Sequence, residues 1–166
     1  MAKEQPSGVY CIDTSSLIDL YRWRPPKKQR QPWRHLEGLI DQQRLIAPRE
    51  VLRELAEHGR DDDLLEWARD HKRMFKPSAS PEIVQTVKEI LREFPTLVDP
   101  DRLEAADPFV VALALKQKAS DLFEGVTVIT EEKYGTGKSR IPHVCEEYKL
   151  MYLQIHQMFL AEGWSL

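Results

Sequence analysis

Cysteine is scarce in this chain. Cys11 and Cys145 are the only two in 166 residues, far apart and outside any CxxC pair, which argues against a disulfide framework or a structural zinc site and predicts two reduced, buried thiols. Long apolar runs are missing too: nothing approaches the roughly 18 consecutive apolar residues of a membrane span. The opening MAKEQPSGVY lacks the apolar core of a secretory signal, so the expectation is a soluble, cytoplasmic protein with no membrane partner. An excess of one charge is also absent. Lys and Arg total 24 against 27 Asp and Glu, a net charge of -3, so any nucleic-acid surface must be local. There is no internal repeat and no low-complexity tract.

What is present is a 42% hydrophobic chain, enough for one ordinary core, and we read a single domain over residues 1–166. Val9 to Ile12 is a short β-favouring run that stops at Asp13, followed by the helix-starting Thr14, Ser15 and Ser16. Leu36, Leu39 and Ile40 recur at helical spacing within Trp33 to Gln43, and Leu45-Ile46-Ala47 reads as a second strand. Pro48 sits where proline opens a helix. Helices are expected at Leu64 to Phe75 and Glu82 to Phe94, joined as a hairpin by the loop from Lys76 to Pro81. Asp107-Pro108 begins a helix apolar nearly all round, Val126 to Thr130 and Met151 to Ile155 are strands, and His156 to Glu162 is a closing helix. Strands alternating with helices predict a mostly parallel sheet covered on both faces.

The stretch VITEEKYGTGKS, Val128 to Ser139, ends like a phosphate-binding loop. Such a loop needs a glycine five positions before Gly137, where its backbone turns towards phosphate, but Glu132 stands there, and Ile141-Pro142 interrupts the region where the loop's helix would follow. A solvated loop around Lys138 is the better reading. The acids are more informative. Asp13 follows the first strand, and Glu131 and Glu132 follow Val126 to Thr130, at the strand ends where parallel sheets gather ligands. Asp107 heads the buried helix, and an acid on the Pro48 helix could complete a set of four. Val51, Leu52 and Leu55 define that helix's core face; Glu54 falls on its flank, whereas Glu50 and Glu57 lie nearly opposite. Each acid also has an ordinary explanation: Asp13 and Asp107 as helix caps, Glu50 and Glu54 as solvated helix residues, Glu131 and Glu132 as loop charges. Gathered together they would repel by roughly 3 kcal/mol per pair at about 5 Å, and so would require a cation.

The order IDTSSLIDL, APREVLRELAE, ADPFVVALAL and VITEE resembles the PIN-domain family, metal-dependent ribonucleases that include VapC-like toxins of toxin-antitoxin pairs. IDTSSLID, the DP before the buried helix and IPHVCEEY are similar to an uncharacterised PIN-like subgroup of bacteria and archaea. The resemblance implies an α/β fold, a three-layer α/β/α sandwich with a short, mostly parallel central sheet and an inserted helical hairpin. It implies metal-binding, catalytic acids at Asp13, Glu54 and Asp107, with a fourth at Glu132, where the family commonly carries aspartate two residues after threonine. Thr14, Ser15 and Thr130 would hydrogen-bond and orient these ligands, with Glu131 as a fallback acid. A toxin role, an antitoxin partner and a homodimer are further implications.

Oxygen-only ligands suit Mg²⁺ or Mn²⁺, and the five histidines form no HExxH or similarly spaced pair for zinc. One or two such ions would support in-line hydrolysis of RNA. Between Arg22 and Arg34 the chain carries Arg22, Arg24, Lys27, Lys28, Arg30 and Arg34 with no acid, and Trp23 and Trp33 interleaved. Held semi-extended by prolines, this segment would track phosphates and stack on a base; alternatively it is a connector with Trp33 anchored in the core, or a dock for an acidic partner. A catalytically weak RNA- or protein-binding module, and a phosphatase with Asp13 as nucleophile, remain as other readings. Asp61-Asp62-Asp63 reads as a helix N-terminal acid run, Trp67 and Trp164 as packing residues, and His143 beside Cys145 as a strand-end histidine next to a buried thiol.

Overall fold

The computed structural model describes residues 8–57, 63–98, 105–120, 125–134 and 139–165. Strands β1 (Val9–Ile12), β2 (Leu45–Pro48), β3 (Phe75–Lys76), β4 (Val126–Ile129) and β5 (Met151–Leu153) form one sheet in the order β3-β2-β1-β4-β5, with every pairing parallel. β1 and β2 are buried at every position, which is why they run apolar instead of alternating. Helices α1 (Thr14–Trp23), α2 (Arg30–Asp41), α3 (Arg49–Glu57), α4 (Asp63–Asp70), α5 (Pro81–Glu93), α6 (Asp107–Ser120), α7 (Ile141–Glu147) and α8 (Ile155–Ala161) cover the sheet as a three-layer α/β/α sandwich.

α6 buries Val110, Val111, Ala112, Leu113 and Ala114 and lies against β1, β2 and β4, with α5 and α7 beside it. α1, α3 and α4 pack on one another. Trp33 is 1% exposed and meets the Trp67 ring edge-on at 4.9 Å, while its indole N–H donates to the Arg24 carbonyl at 2.6 Å. Trp33 is thus a core anchor. Trp67 is buried as well, and Trp164 stacks on His35 at 4.3 Å, so both are packing residues as expected. Among the described residues no helix is long and apolar enough to cross a membrane.

Several expected elements are redrawn. The helix expected to reach Phe75 ends at Asp70, and a 3₁₀ turn at Lys72–Met74 leads into β3. Parallel pairing of Ala47 with Phe75 and of Pro48 with Lys76 overrides the local helical spacing there. α4 and α5 are therefore separated by a strand; α4 packs on α1 and α3, and α5 on α6. Pro48 closes β2, one residue before α3. The segment from Arg22 to Arg34 is not semi-extended. Arg22 and Trp23 end α1, the N–H groups of Lys28 and Gln29 close a turn on the Pro25 carbonyl, and Arg30 already starts α2. Ile141-Pro142 opens α7 instead of interrupting a helix, with proline in its first turn, where a missing N–H costs nothing; His143 is accordingly helical. Asp63 begins α4 as an N-terminal acid, whereas Asp61, Asp62 and residues 135–138 of the loop expected around Lys138 lie outside the described residues.

Candidate metal centre

The sheet changes direction at β1: β2 and β3 lie to one side, β4 and β5 to the other. Beyond the carboxyl ends of the two strands that flank such a switch point a parallel sheet opens a crevice. Pairing of Ile12 with Ile129 sets the end of β1 beside the end of β4. Asp13, 3% exposed, donates its backbone N–H to Ile129 O at 2.9 Å. Its Oδ1 accepts from the Ser16 N–H at 3.2 Å and from Ser15 Oγ at 2.5 Å, and its Oδ2 accepts from Thr130 Oγ1 at 2.7 Å. Asp13 is therefore the α1 cap and a site carboxylate at once. Thr130 Oγ1 also accepts from the Glu132 N–H at 3.1 Å, and Glu132 Oε2 accepts from the Ile141 N–H, the first of α7, at 2.8 Å.

Asp107 is the first residue of α6, and the helix's opening bond runs from Val110 N–H to Ala106 O at 2.9 Å. Ala106, not Asp107, occupies the cap position. One carboxylate oxygen each from Asp13, Asp107 and Glu132 lie within 4.8 Å of one another. Glu54 is not in that trio. It is buried on α3, with Oε1 accepting the Ala106 N–H at 2.7 Å, so it braces the residue before Asp107. Its charge still acts on Asp107.

Holding these groups together without a cation is costly. Burial above all, and then the Glu132 charge, pushes the Asp13 carboxyl up to about 7 against the pull of its Ser15 and Thr130 hydrogen bonds. Asp107 is raised well above the usual carboxylate range, first by burial, then by the charges of Glu132, Asp13 and Glu54 and by a hydrogen bond with Glu132.

One residue expected to support the ligands does otherwise. Thr14 is buried, but its Oγ1 has no hydrogen-bond partner among the described residues. Adjacent helix residues point about 100° apart, so the turn of α1 that brings Ser15 to Asp13 carries Thr14 away. Glu131 is outside the trio and supports it from behind. Its Oε1 accepts from the Ile155 N–H at 2.8 Å and from Ser16 Oγ at 3.2 Å, and its N–H donates to Ser15 Oγ at 3.0 Å, tying the β4 end to α1 and to the start of α8. Glu50, expected to face water, is 6% exposed because the loop after β3 covers it, and the Ser78 hydroxyl donates to its Oε1. Ser16 and the Ile141 amide were not anticipated; the TSS run after Asp13 and the proline at position 142 were their available signals.

A family model described as a domain of unknown function, DUF4411, matches residues 10–166. The chain belongs to the DUF4411 family. No curated protein and no solved structure matches it. The DUF4411 domain contains all four acids, from Asp13 to Glu132, and every helix of the sandwich.

Around this centre the DUF4411 domain buries both of its thiols. Cys11 and Cys145 are free and buried, and the Cys11 thiol donates to Val110 O at 3.5 Å. Burial first, then the charges of Asp13, Glu132 and Glu146, pushes Cys145 up to about 12, and His143 Nδ1 accepts the Arg140 N–H. Arg22, Lys28 and Arg30 are exposed, Lys27 pairs with Asp63 at 2.9 Å, and the half-buried Arg24 donates to the Trp23 carbonyl. Trp23 itself is 68% exposed.

Proposed function

We propose that this DUF4411 domain is a Mg²⁺- or Mn²⁺-dependent endoribonuclease acting on cytoplasmic RNA. The observation that carries the reading is the meeting of Asp13, Asp107 and Glu132, from three separate elements, within 4.8 Å. The resemblance to PIN-domain ribonucleases points the same way. The donor set fits a hard divalent cation: every candidate ligand is a carboxylate oxygen, and burial plus mutual repulsion leaves the acids short of positive charge. Asp13, Asp107 and Glu132 would hold the ion, with Glu54 adding charge beside Asp107. Bound there, such an ion lowers the pKa of water and neutralises charge on a scissile phosphate.

The chain's own contribution is to hold the ligands in place. Ser15, Ser16 and Thr130 fix both oxygens of Asp13. The Ile141 amide restrains Glu132, and Glu54 restrains the backbone before Asp107. In-line attack by water with the 3′ oxygen leaving gives a 5′ phosphate and a 3′ hydroxyl. The test is cleavage of an end-labelled single-stranded RNA in Mn²⁺. Cleavage dependent on the ion and lost in Asp13→Asn and Asp107→Asn is expected; cleavage surviving both substitutions overturns the assignment.

A role as the toxin of a toxin-antitoxin pair, working as a homodimer, belongs to the same proposal, and a small neighbouring gene whose product binds and silences the protein would support it. A catalytically weak binding module is the second reading. It is favoured by glutamate at position 132 and by the Ile141 amide already engaging Oε2; RNA binding without turnover in Mn²⁺ would select it. The Asp13 nucleophile reading fares worse, because Ser15 stands two residues on, where such phosphoryl transfer calls for a second aspartate.

A further inference from the structure

Between the last turns of α1 and the start of α8 lies a cavity of about 210 Å³ lined by Asp19, Leu20, Trp23, Arg24, Ile155 and His156. We propose that it receives an unpaired guanine base of the RNA strand, a few nucleotides from the bond placed at the acids. The inference rests on the ribonuclease reading and adds to it a substrate preference.

Position comes first. Ser16, Leu20 and Trp23 recur at three- and four-residue spacing and so share one side of α1. Ser16 Oγ bonds to Glu131, which holds the Ile155 N–H, so this side faces the head of α8. The row begins one turn from Asp13 and ends at Trp23, about 15 Å along the helix. Ser15, Asp19 and Arg22, at the same spacing on the neighbouring side of α1, are part-buried or exposed, and a strand with its scissile phosphate at the acids would reach the cavity along them.

Chemistry follows. Leu20 and Ile155 are almost fully buried and give an apolar floor, while the largely exposed Trp23 and the exposed His156 offer flat ring surfaces at the mouth. Indoles of this kind stack on unpaired bases. Exposed Arg22 in the last turn of α1, and Lys28 and Arg30 in the chain after it, suit the strand's phosphates.

Asp19 selects the base. Its side chain is half buried and makes no hydrogen bond to the other described residues. An ionised carboxylate only accepts. Guanine offers two adjacent donors, N1–H and the N2 amino group, to both oxygens at once, whereas adenine turns an acceptor nitrogen to the same place. The pyrimidines offer at most one donor and a smaller face to stack.

The probes are GMP and AMP, titrated against the full chain in EDTA and followed by tryptophan fluorescence; the other tryptophans are less exposed than Trp23. GMP should bind about tenfold tighter than AMP or better. Asp19→Asn should erase that preference, and Trp23→Ala should weaken both nucleotides; circular dichroism checks that each variant is folded. A second arm maps Mn²⁺-dependent cleavage on RNAs with a single guanosine moved along an adenosine-rich strand, and the cut should move with it. Equal affinity for GMP and AMP, or a preference untouched by Asp19→Asn, overturns the inference. Cleavage without guanosine dependence removes the guanine site and leaves the ribonuclease reading standing. Guanine preference in a protein that cuts no RNA removes the ribonuclease reading and keeps the base site.

Discussion

Thr130 couples the ends of the two central strands to each other: its hydroxyl donates to Asp13 Oδ2 at 2.7 Å and accepts the Glu132 N–H at 3.1 Å. One side chain thereby orients one acid and sets the backbone of another. Thr130→Val keeps the shape but removes both bonds. Loss of such supporting contacts costs on the order of 10- to 100-fold in metal affinity or activity. Thr130→Val should show that loss in Mn²⁺-dependent cleavage, and Thr130→Ser should recover most of it.

The Asp13 carboxyl stands at about 7 in the folded chain against an ordinary value of 3.8. Between those values the folded state holds a proton that the unfolded state has released. The stability this group contributes is fully present below about pH 4 and is lost as pH rises through about 7. For Asp13 the difference between the limits is on the order of 4 kcal/mol. A bound cation opposes it, so Mn²⁺ should raise the melting temperature clearly at pH 8 and far less at pH 5. Equal stabilisation at both pH values would contradict this.

Asp107 shares a hydrogen bond with Glu132 and is raised by three neighbouring acids. Replacing it with asparagine removes a charge without removing a donor. In EDTA at pH 8, Asp107→Asn should melt at or above the parent temperature, while its gain from Mn²⁺ disappears. Stability and ion binding should move in opposite directions.

Glu54 separates bracing from charge. Glu54→Gln can keep an oxygen on the Ala106 N–H, now at 2.7 Å, so it should fold normally and bind Mn²⁺ more weakly. Glu54→Ala leaves a buried N–H unpaired, at a cost of about 1–3 kcal/mol. Urea denaturation should show the second loss and not the first.

Far from the acids, Arg44 and Glu162 form a buried bidentate pair at 2.9 and 2.8 Å, and Tyr10 donates to the same carboxylate at 2.7 Å. Breaking a buried pair by neutralising one partner costs about 3–5 kcal/mol. Glu162→Gln should lose stability on that scale in urea, and RNA cleavage by the folded fraction should be unchanged.

The parts of this architecture that local chemistry dictates were legible in the sequence. β1 ending at Asp13, the buried α6 and the acids after β4 follow from apolar runs meeting polar stops, and the helical turn angle placed Glu54 on the flank that reaches Ala106. Distant pairing was not legible. β3 has two residues, too few to carry a period of their own, and it is a strand because β2 lies alongside. Glu50 is buried by Ser78, 28 residues away. Glu131 and Glu132 look interchangeable as neighbours in the chain; they differ because the amide of Ile155, 24 residues on, meets one, and that of Ile141, nine residues on, meets the other. Pro142 reads as a breaker unless the helix is known to start there.

That divided pair of glutamates would set where the proposed ion is felt. A cation competing for Glu132 draws electron density away from the α7 amide, while the Glu131 clasp on α8 is untouched. Hydrogen exchange at Ile141 should therefore quicken on loading, with Ile155 serving as a built-in reference.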